Sequence, residues 1–399
     1  MRLLQLSPQF PFPLSDGGKI SIANLTRALV QQGCVVDLIC LCKKMPSREL
    51  IDAFVQYTGA HCTCIQHDTS NSIKAILYSF IDLKNPLYIR KHYSKEFESI
   101  FLEFLQENQY DGILCDHSAM AQYGVKATSF SGAPVIVRMH NIEHIIWERF
   151  ADRFGSFDPR KFYILSQARK LKKKEIEYSV NVSYSAMITE RDVQVLHQLE
   201  NNIRAIHVPV GIDTELFHPK EKDVSRIPNR LIHATTYDWV HNVDAIDWFI
   251  REVIPTIQRK HGAELYLLGK HMPDKYQTMA EQGIHGLGFV EDINAMLNTA
   301  SIYIAPLFVG AGIRIKILEA MSAGLPVIAS KISAEGIEAN REEGLIICND
   351  ANEFISEISH LLMHPEEARV LGEKARSFIL EHHTWEHSAK LLKTLFLNK

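Results

Sequence analysis

The sequence predicts an α/β protein built on two parallel sheets, and three observations carry that prediction. Short apolar runs alternate with amphipathic helical patterns along the whole chain, an arrangement that covers both faces of a parallel sheet with helices. The alternation occurs twice, once on each side of a polar stretch at 210–229 that is flanked and punctuated by Pro209, Pro219 and Pro228. At 399 residues the chain is too long for one core, so two domains are expected.

In the first half the expected strands are residues 2–7, 35–42, 61–66, 112–116, 135–140, 186–189 and 205–209. Helical patterns lie between them, among others at 19–32, 95–108 and 160–178. In the second half the strands are 231–235, 264–268, 286–289, 302–305, 327–329 and 345–348. Three helices follow, at 351–363, 365–382 and 384–398. Two such runs give two Rossmann-like domains joined through 210–229.

Composition narrows the function. With 46% hydrophobic and 23% charged residues the chain reads as a soluble globular enzyme. A net charge of −4 excludes a nucleic-acid binder held by bulk charge. No apolar stretch approaches the roughly 20 residues of a membrane span. The run Met1–Leu6, ended by Ser7-Pro8, is too short for a secretory leader. Seven cysteines without zinc-type spacing fit a reducing cytoplasm, and Cys40/Cys42 and Cys62/Cys64 read as packed thiols within strands.

The most informative segment is 307–330, which reads as loop, helix, turn and buried strand. Gly310 and Gly312 open it. Arg314 and Lys316 alternate with Ile313, Ile315 and Ile317, so in an extended segment the cations share one side. A helix is expected from about Lys316 to Gly324, with Pro326 just beyond. Cations at a helix start oppose its dipole by roughly 0.3–1 kcal/mol each. A bound phosphate resolves that conflict, since glycine amides, helix end and cations all face it. Glu319, one turn below Lys316, is positioned to accept from sugar or ribose hydroxyls. The competing reading is a solvated charged helix face.

Other loops follow expected strands at their carboxyl ends, where parallel sheets bind ligands. Gly17-Gly18 at a helix start lets backbone approach a diphosphate or sugar, or simply makes a turn; the spacing is not that of a dinucleotide fingerprint. His140 and Asn141 end a buried strand, where His140 is either a cleft residue or a core histidine, and Glu143 and His144 begin a helix as surface groups. Residues 235–244, with Thr236, Tyr237, Trp239 and His241, are suited to framing a base or sugar, with Asn242 as a helix cap. The helix 160–178 carries seven cations among aromatic and aliphatic residues, which suits either an anionic membrane surface or a solvated face.

The phrase Leu318-Glu319-Ala320-Met321-Ser322-Ala323-Gly324-Leu325-Pro326-Val327-Ile328-Ala329, the Gly17-Gly18 loop and Val208-Pro209-Val210-Gly211-Ile212-Asp213 together resemble glycosyltransferase family 4. His140-Asn141-Ile142-Glu143-His144 and Asn242-Val243-Asp244 resemble a bacterial subgroup that makes exopolysaccharide or other surface glycans. The resemblance covers nearly the whole chain. It implies the GT-B fold, two Rossmann-like domains facing a central cleft. It divides the chain into an acceptor-side domain (1–209), a nucleotide-sugar-binding domain (210–382) and a terminal helix (383–399) packing back on the first domain.

By resemblance the protein is a retaining hexosyltransferase. It takes a nucleotide diphosphate sugar as donor and a glycan or lipid-linked molecule as acceptor, without cofactor or metal. The implied catalytic residues are His140, Arg314 and Lys316. The implied donor-binding residues are Gly17, Gly18, Thr236, His241, Gly310, Gly312, Ile313 and Glu319. The sequence departs from the family at two points. The first glutamate of the usual Glu-x7-Glu pair falls on Ala311, and the Gly-Arg-x4-Lys element falls on Thr235-Thr236-x4-His241. Arg314 and Lys316 are then the cations left to meet the diphosphate. Base, sugar, acceptor, linkage and oligomeric state are not written in the sequence. A nucleotide-sugar epimerase or hydrolase, and a noncatalytic partner of a transferase, are the alternatives. The expected location is the cytoplasm, peripheral to the inner face of the membrane through 160–178, with no nucleic-acid partner.

Overall fold

The computed structural model describes residues 1–71, 73–82, 84–220, 226–310 and 312–398. The chain divides into two compact units, Met1–Gly211 with Trp385–Lys399, and Ile212–Thr384.

The first unit holds β1 (Arg2–Ser7), β2 (Val35–Cys42), β3 (His61–Gln66), β4 (Gly112–Asp116), β5 (Val135–Met139), β6 (Tyr184–Met187) and β7 (Ala205–His207). They form one seven-stranded sheet in the order β3-β2-β1-β4-β5-β6-β7, every pair parallel. Leu3, Leu4 and Leu6 of β1, Ile113 and Leu114 of β4, and Val135 and Ile136 of β5 are fully buried. This is the continuous apolar run of a strand covered on both faces. The chain winds outward from β1 to β3 and returns at β4, so the order reverses between β1 and β4. The closing helix Trp385–Leu397 belongs to this unit. It packs on the helix Gly17–Gln31, with Lys393 Nζ donating to the Gln32 carbonyl (2.7 Å) and Ser388 Oγ to that of Pro209 (2.6 Å).

The second unit holds β8 (Arg230–Ala234), β9 (Glu264–Leu268), β10 (Ile284–Gly288), β11 (Ile302–Ala305), β12 (Val327–Ser330) and β13 (Leu345–Cys348). They form a six-stranded sheet in the order β10-β9-β8-β11-β12-β13, again all parallel, reversing between β8 and β11.

All the expected strands form, seven with the expected ends and six with shifted ones. The sixth stops at Met187 because Thr189 is taken as a helix cap, its Oγ1 accepting from the Asp192 amide (3.1 Å). The segment 210–229 is not a free tether. Arg376 donates to the carbonyls of Thr214 (3.2 Å), Phe217 (2.7 Å) and Ser322 (2.6 Å), and the Ile212 amide to His383 (2.7 Å). Residues 221–225 of that stretch, and Ala311, lie outside the described residues. No described helix is long and apolar enough to cross a membrane.

Candidate active site

In the first unit the polar residues gather beyond the carboxyl ends of β1, β4 and β5, at the reversal of strand order, where open parallel sheets place ligands. Asp16 caps the helix Gly17–Gln31, its Oδ1 accepting from the Lys19 amide (3.0 Å). Gly17 and Gly18 therefore form the first turn, whose amides point away from the helix body. Ser21, one turn on, accepts from Arg138 Nη2 at 2.8 Å.

Arg138 lies mid-core in β5 and pairs in register with Asp116, the last residue of β4. Both side chains are wholly buried, with Arg138 Nη1 3.1 Å from Asp116 Oδ1. Gln5 Nε2 donates to the other carboxylate oxygen (3.1 Å), and Thr26 Oγ1 donates to Gln5 Oε1 (2.8 Å). Burial alone would raise the Asp116 pKa; the Arg138 charge and the His140 contact overcome this and hold it at about 2. His140 Nε2 lies 3.1 Å from Asp116 Oδ1 and 3.0 Å from Arg138 Nη1. Burial, then the Arg138 charge, lowers the His140 pKa, so the imidazole is neutral at pH 7.

His117, just past β4, stacks obliquely on His140 with ring centroids 5.3 Å apart. Its φ of 111° is unusual for a residue with a side chain. Tyr88 Oη holds its Nδ1 at 2.6 Å, and Glu143 Oε1 lies 3.9 Å from its Nε2. Glu143 and His144 are not surface groups: both are buried. Ile142 offers the helix Glu143–Ala151 no side-chain cap, so Glu175 accepts from the amides of Glu143 (2.8 Å) and His144 (3.3 Å) instead. Burial, with Glu175 close by, raises the Glu143 carboxyl to about 8, so it carries its proton at pH 7. Asp116, His117, Arg138 and Glu175 were not singled out from sequence. The available signal was Arg138 inside Val-Ile-Val-Arg-Met, because a charge in a buried strand requires a partner.

These groups set a pH profile. Burial lowers His117 to about 3 and His92 and His233 to about 4, and lowers His140 as well. The unfolded chain protonates such imidazoles near 6.5, so it binds more protons below that pH and stability is lost as pH falls. Glu143 and Glu319, raised by burial, act oppositely and lose stability as pH rises above about 4.5. Four imidazoles outweigh two carboxyls between pH 4.5 and 6.5. We expect the melting temperature to peak near pH 6.5 and to fall on both sides. A flat profile, or one highest at pH 5, would contradict neutral buried imidazoles.

In the second unit a pocket of about 170 Å³ opens at the β8/β11 reversal, lined by Thr235, Asn242, Ile313, Arg314, Lys316 and Ser333 among others. The segment 313–317 is extended only as far as Arg314. Arg314 is the N-cap of the helix Ile315–Ser322, and Lys316 lies in its first turn. Arg314 Nη1 donates to the Gly312 carbonyl (3.1 Å), and a Cβ on Gly310 would collide with the Arg314 guanidinium. Gly312 has φ +78°. The two glycines thus let the loop close around Arg314. Lys316 Nζ donates to Glu319 Oε2 at 2.7 Å. Burial raises the Glu319 pKa, and Lys316 opposes it.

Thr236 and His241 are not in the pocket lining. Thr236 Oγ1 is bonded to Asp238, and His241 Nδ1 lies 3.9 Å from Asp244. Asn242 is not a cap: Trp239 precedes the helix Val240–Glu252, and Asn242 Nδ2 donates to the Thr236 carbonyl (2.7 Å). The structure therefore gathers Ile313, Arg314, Lys316 and Glu319 with Gly310 and Gly312 in one unit. It gathers His140 with the Gly17-Gly18 helix in the other. The basic helix, Pro159–Val180, pairs Arg160, Lys161 and Lys174 with Asp158, Asp152 and Glu177, while Lys170 donates to the carbonyls of Ser79 and Asp82. Arg169 and Lys173 are exposed on it.

Two parallel Rossmann-like sheets, one in each unit, make this a GT-B fold. Residues 228–364 match the family model "Glycosyl transferases group 1", and this segment is a domain of that family. An uncharacterized 44.6 kDa protein in the cps region of Klebsiella pneumoniae is 22% identical over 99% of both chains. An MMP α-(1→4)-mannosyltransferase of Mycolicibacterium hassiacum is 28% identical over 46% of this chain and 45% of its own length. HepE of Anabaena, solved in complex with UDP, superposes with a TM-score of 0.66 at 12% identity, covering 100% of both chains. The chain has a GT-B fold, and its residues 228–364 match a glycosyltransferase family.

Proposed function

We propose that the protein is a retaining glycosyltransferase that moves a hexosyl unit from a nucleotide diphosphate sugar to a glycan or lipid-linked acceptor. The observation that carries this reading is the helix start at Ile315, where Arg314 and Lys316 line a pocket and Lys316 is paired with Glu319. Two cations at the positive end of a helix form a site suited to an anion. The names of similar proteins support the substrate class: one is a mannosyltransferase, another was solved with UDP.

In this reading the bond between the sugar's anomeric carbon and the diphosphate oxygen breaks, and the electron pair leaves with the diphosphate. Arg314 and Lys316 stabilise that charge, so no metal ion is required of the donor site. The acceptor oxygen attacks the same face, and its proton passes to the departing phosphate. Glu319 accepts from the ribose hydroxyls once Lys316 turns to the phosphates.

The test is a thermal-shift screen against UDP-, GDP-, ADP- and dTDP-sugars. A donor at about 100 times its Kd should add about 2.7 kcal/mol of stability. Glu319→Gln should lower that donor's affinity about tenfold or more, by loss of a charged acceptor, while the fold persists. Equal binding by wild type and mutant would remove Glu319 from the donor site. No stabilisation by any of the four would overturn the reading. Product with inverted anomeric configuration would reject retention alone.

A further inference from the structure

Four of the seven cysteines lie on one face of two adjacent strands. Alternation along β2 puts Cys40 and Cys42 on the same side, and along β3 does the same for Cys62 and Cys64. The parallel register sets Cys40 directly opposite Cys64 and Leu38 opposite Cys62. The sulfurs therefore converge. Cys40 Sγ lies 3.6 Å from Cys64 Sγ and 3.8 Å from Cys42 Sγ, and Cys62 Sγ lies 3.8 Å from Cys64 Sγ. The sulfurs of Cys40, Cys62 and Cys64 all fall within 4.8 Å of one another.

These separations are chemically specific. Zinc binds thiolates at about 2.3 Å in a tetrahedron, whose edge is then about 3.8 Å. The surroundings also discriminate against harder ions. The face is walled by Phe10, Phe12 and Phe54, while Asp37, one residue from Leu38, points to the other side of the sheet and is engaged with Arg2, His61 and Tyr110. A sulfur-only donor set selects soft or borderline cations over magnesium or calcium. β3 is the edge strand, and Cys62 and Cys64 are only half-buried, which gives the ion a way in.

We propose that Cys40, Cys62 and Cys64 form a three-thiolate zinc site, its fourth position open to a small ligand such as water, that fastens edge strand β3 to β2. The thiols give up their protons to solvent as the metal–sulfur bonds form, and no redox step is involved. The site is structural. It lies on the β3 edge of the sheet, whereas the polar cluster of the first unit lies beyond β1, β4 and β5.

The experiment uses the full chain, purified under reducing conditions and stripped with a chelator. Titration with zinc against a chromogenic competitor should give one equivalent bound, and zinc should raise the melting temperature. Cobalt in place of zinc should give thiolate-to-metal charge-transfer bands and the visible bands of a tetrahedral site. Cys62→Ser with Cys64→Ser should abolish both, while Cys34→Ala and Cys348→Ala retain them. The wild-type cobalt spectrum needs no variant, so a folding defect in the double mutant leaves the test intact. Failure of the reduced wild-type chain to bind an equivalent of zinc overturns the proposal. So does binding undiminished in the double mutant, or air oxidation to an inter-strand disulfide by a chain that takes up no metal.

Discussion

Arg314→Ala and Lys316→Ala each lower turnover about ten- to a thousandfold, the usual cost of removing one group that meets developing charge. The two should not behave alike. Arg314 is half-buried, its pKa lowered by burial, and fixed to the Gly312 carbonyl, so it is already oriented. Lys316 is 40% exposed and tied to Glu319, so it must exchange one anion for another. Lys316→Ala therefore leaves Glu319 as an uncompensated buried carboxylate beside a diphosphate, and donor affinity should fall with turnover. Arg314→Ala should act more on kcat. Arg314→Lys should restore little, because one ammonium does not reproduce the guanidinium fork. Steady-state kinetics with donor Kd for each variant decide this. Unchanged kinetics in both alanine mutants would make them ordinary surface cations.

His140→Ala lowers kcat about a hundred- to a thousandfold while donor affinity changes little. His140 belongs to the first unit, and the proposed donor groups Arg314, Lys316 and Glu319 belong to the second. The imidazole is neutral at pH 7 and held by Asp116 and Arg138. It can hydrogen-bond a sugar hydroxyl without titrating. The core-histidine alternative makes a different forecast, because loss of a buried contact removes stability and activity together. Asp116 keeps Arg138 and Gln5 as partners in the mutant, so the melting temperature should fall only modestly. The decisive set is kcat, donor Kd and melting temperature on the same protein. Full activity, or activity lost only through unfolding, would end the catalytic assignment.

The fold was legible because its determinants are local. Apolar runs such as Leu3–Leu6 and Val135–Val137 announce strands, and the alternation with helices dictates parallel sheets. The Ile315 helix start was visible for the same reason, since Arg314, Lys316, Glu319 and the glycines sit within ten residues. What escaped was made by register between distant strands. Asp116 meets Arg138 only because β4 and β5 align, and Cys40 meets Cys64 only because β2 and β3 do. Each CxC pair looked like packing, and neither alone could hold a metal. Glu143 and His144 were misread as surface groups because the carboxylate that caps their helix is supplied by Glu175, 32 residues from Glu143. Thr236 and His241, placed by matching a family's spacing, are engaged locally with Asp238 and Asp244, contacts that no spacing in the sequence announces.

The ends of the second unit have a consequence for how this chain can be rebuilt. Ile212 and Thr384 form a parallel β-bridge, and the Ile212 amide reaches the His383 carbonyl. The unit thus leaves and re-enters the sequence at neighbouring points, as an inserted module does. Such a module is exchangeable: residues 212–384 can be lifted out and replaced by the corresponding segment of a relative with a single pair of junctions. If donor choice resides there, a chimera would change the sugar transferred while the acceptor stays that of the parent.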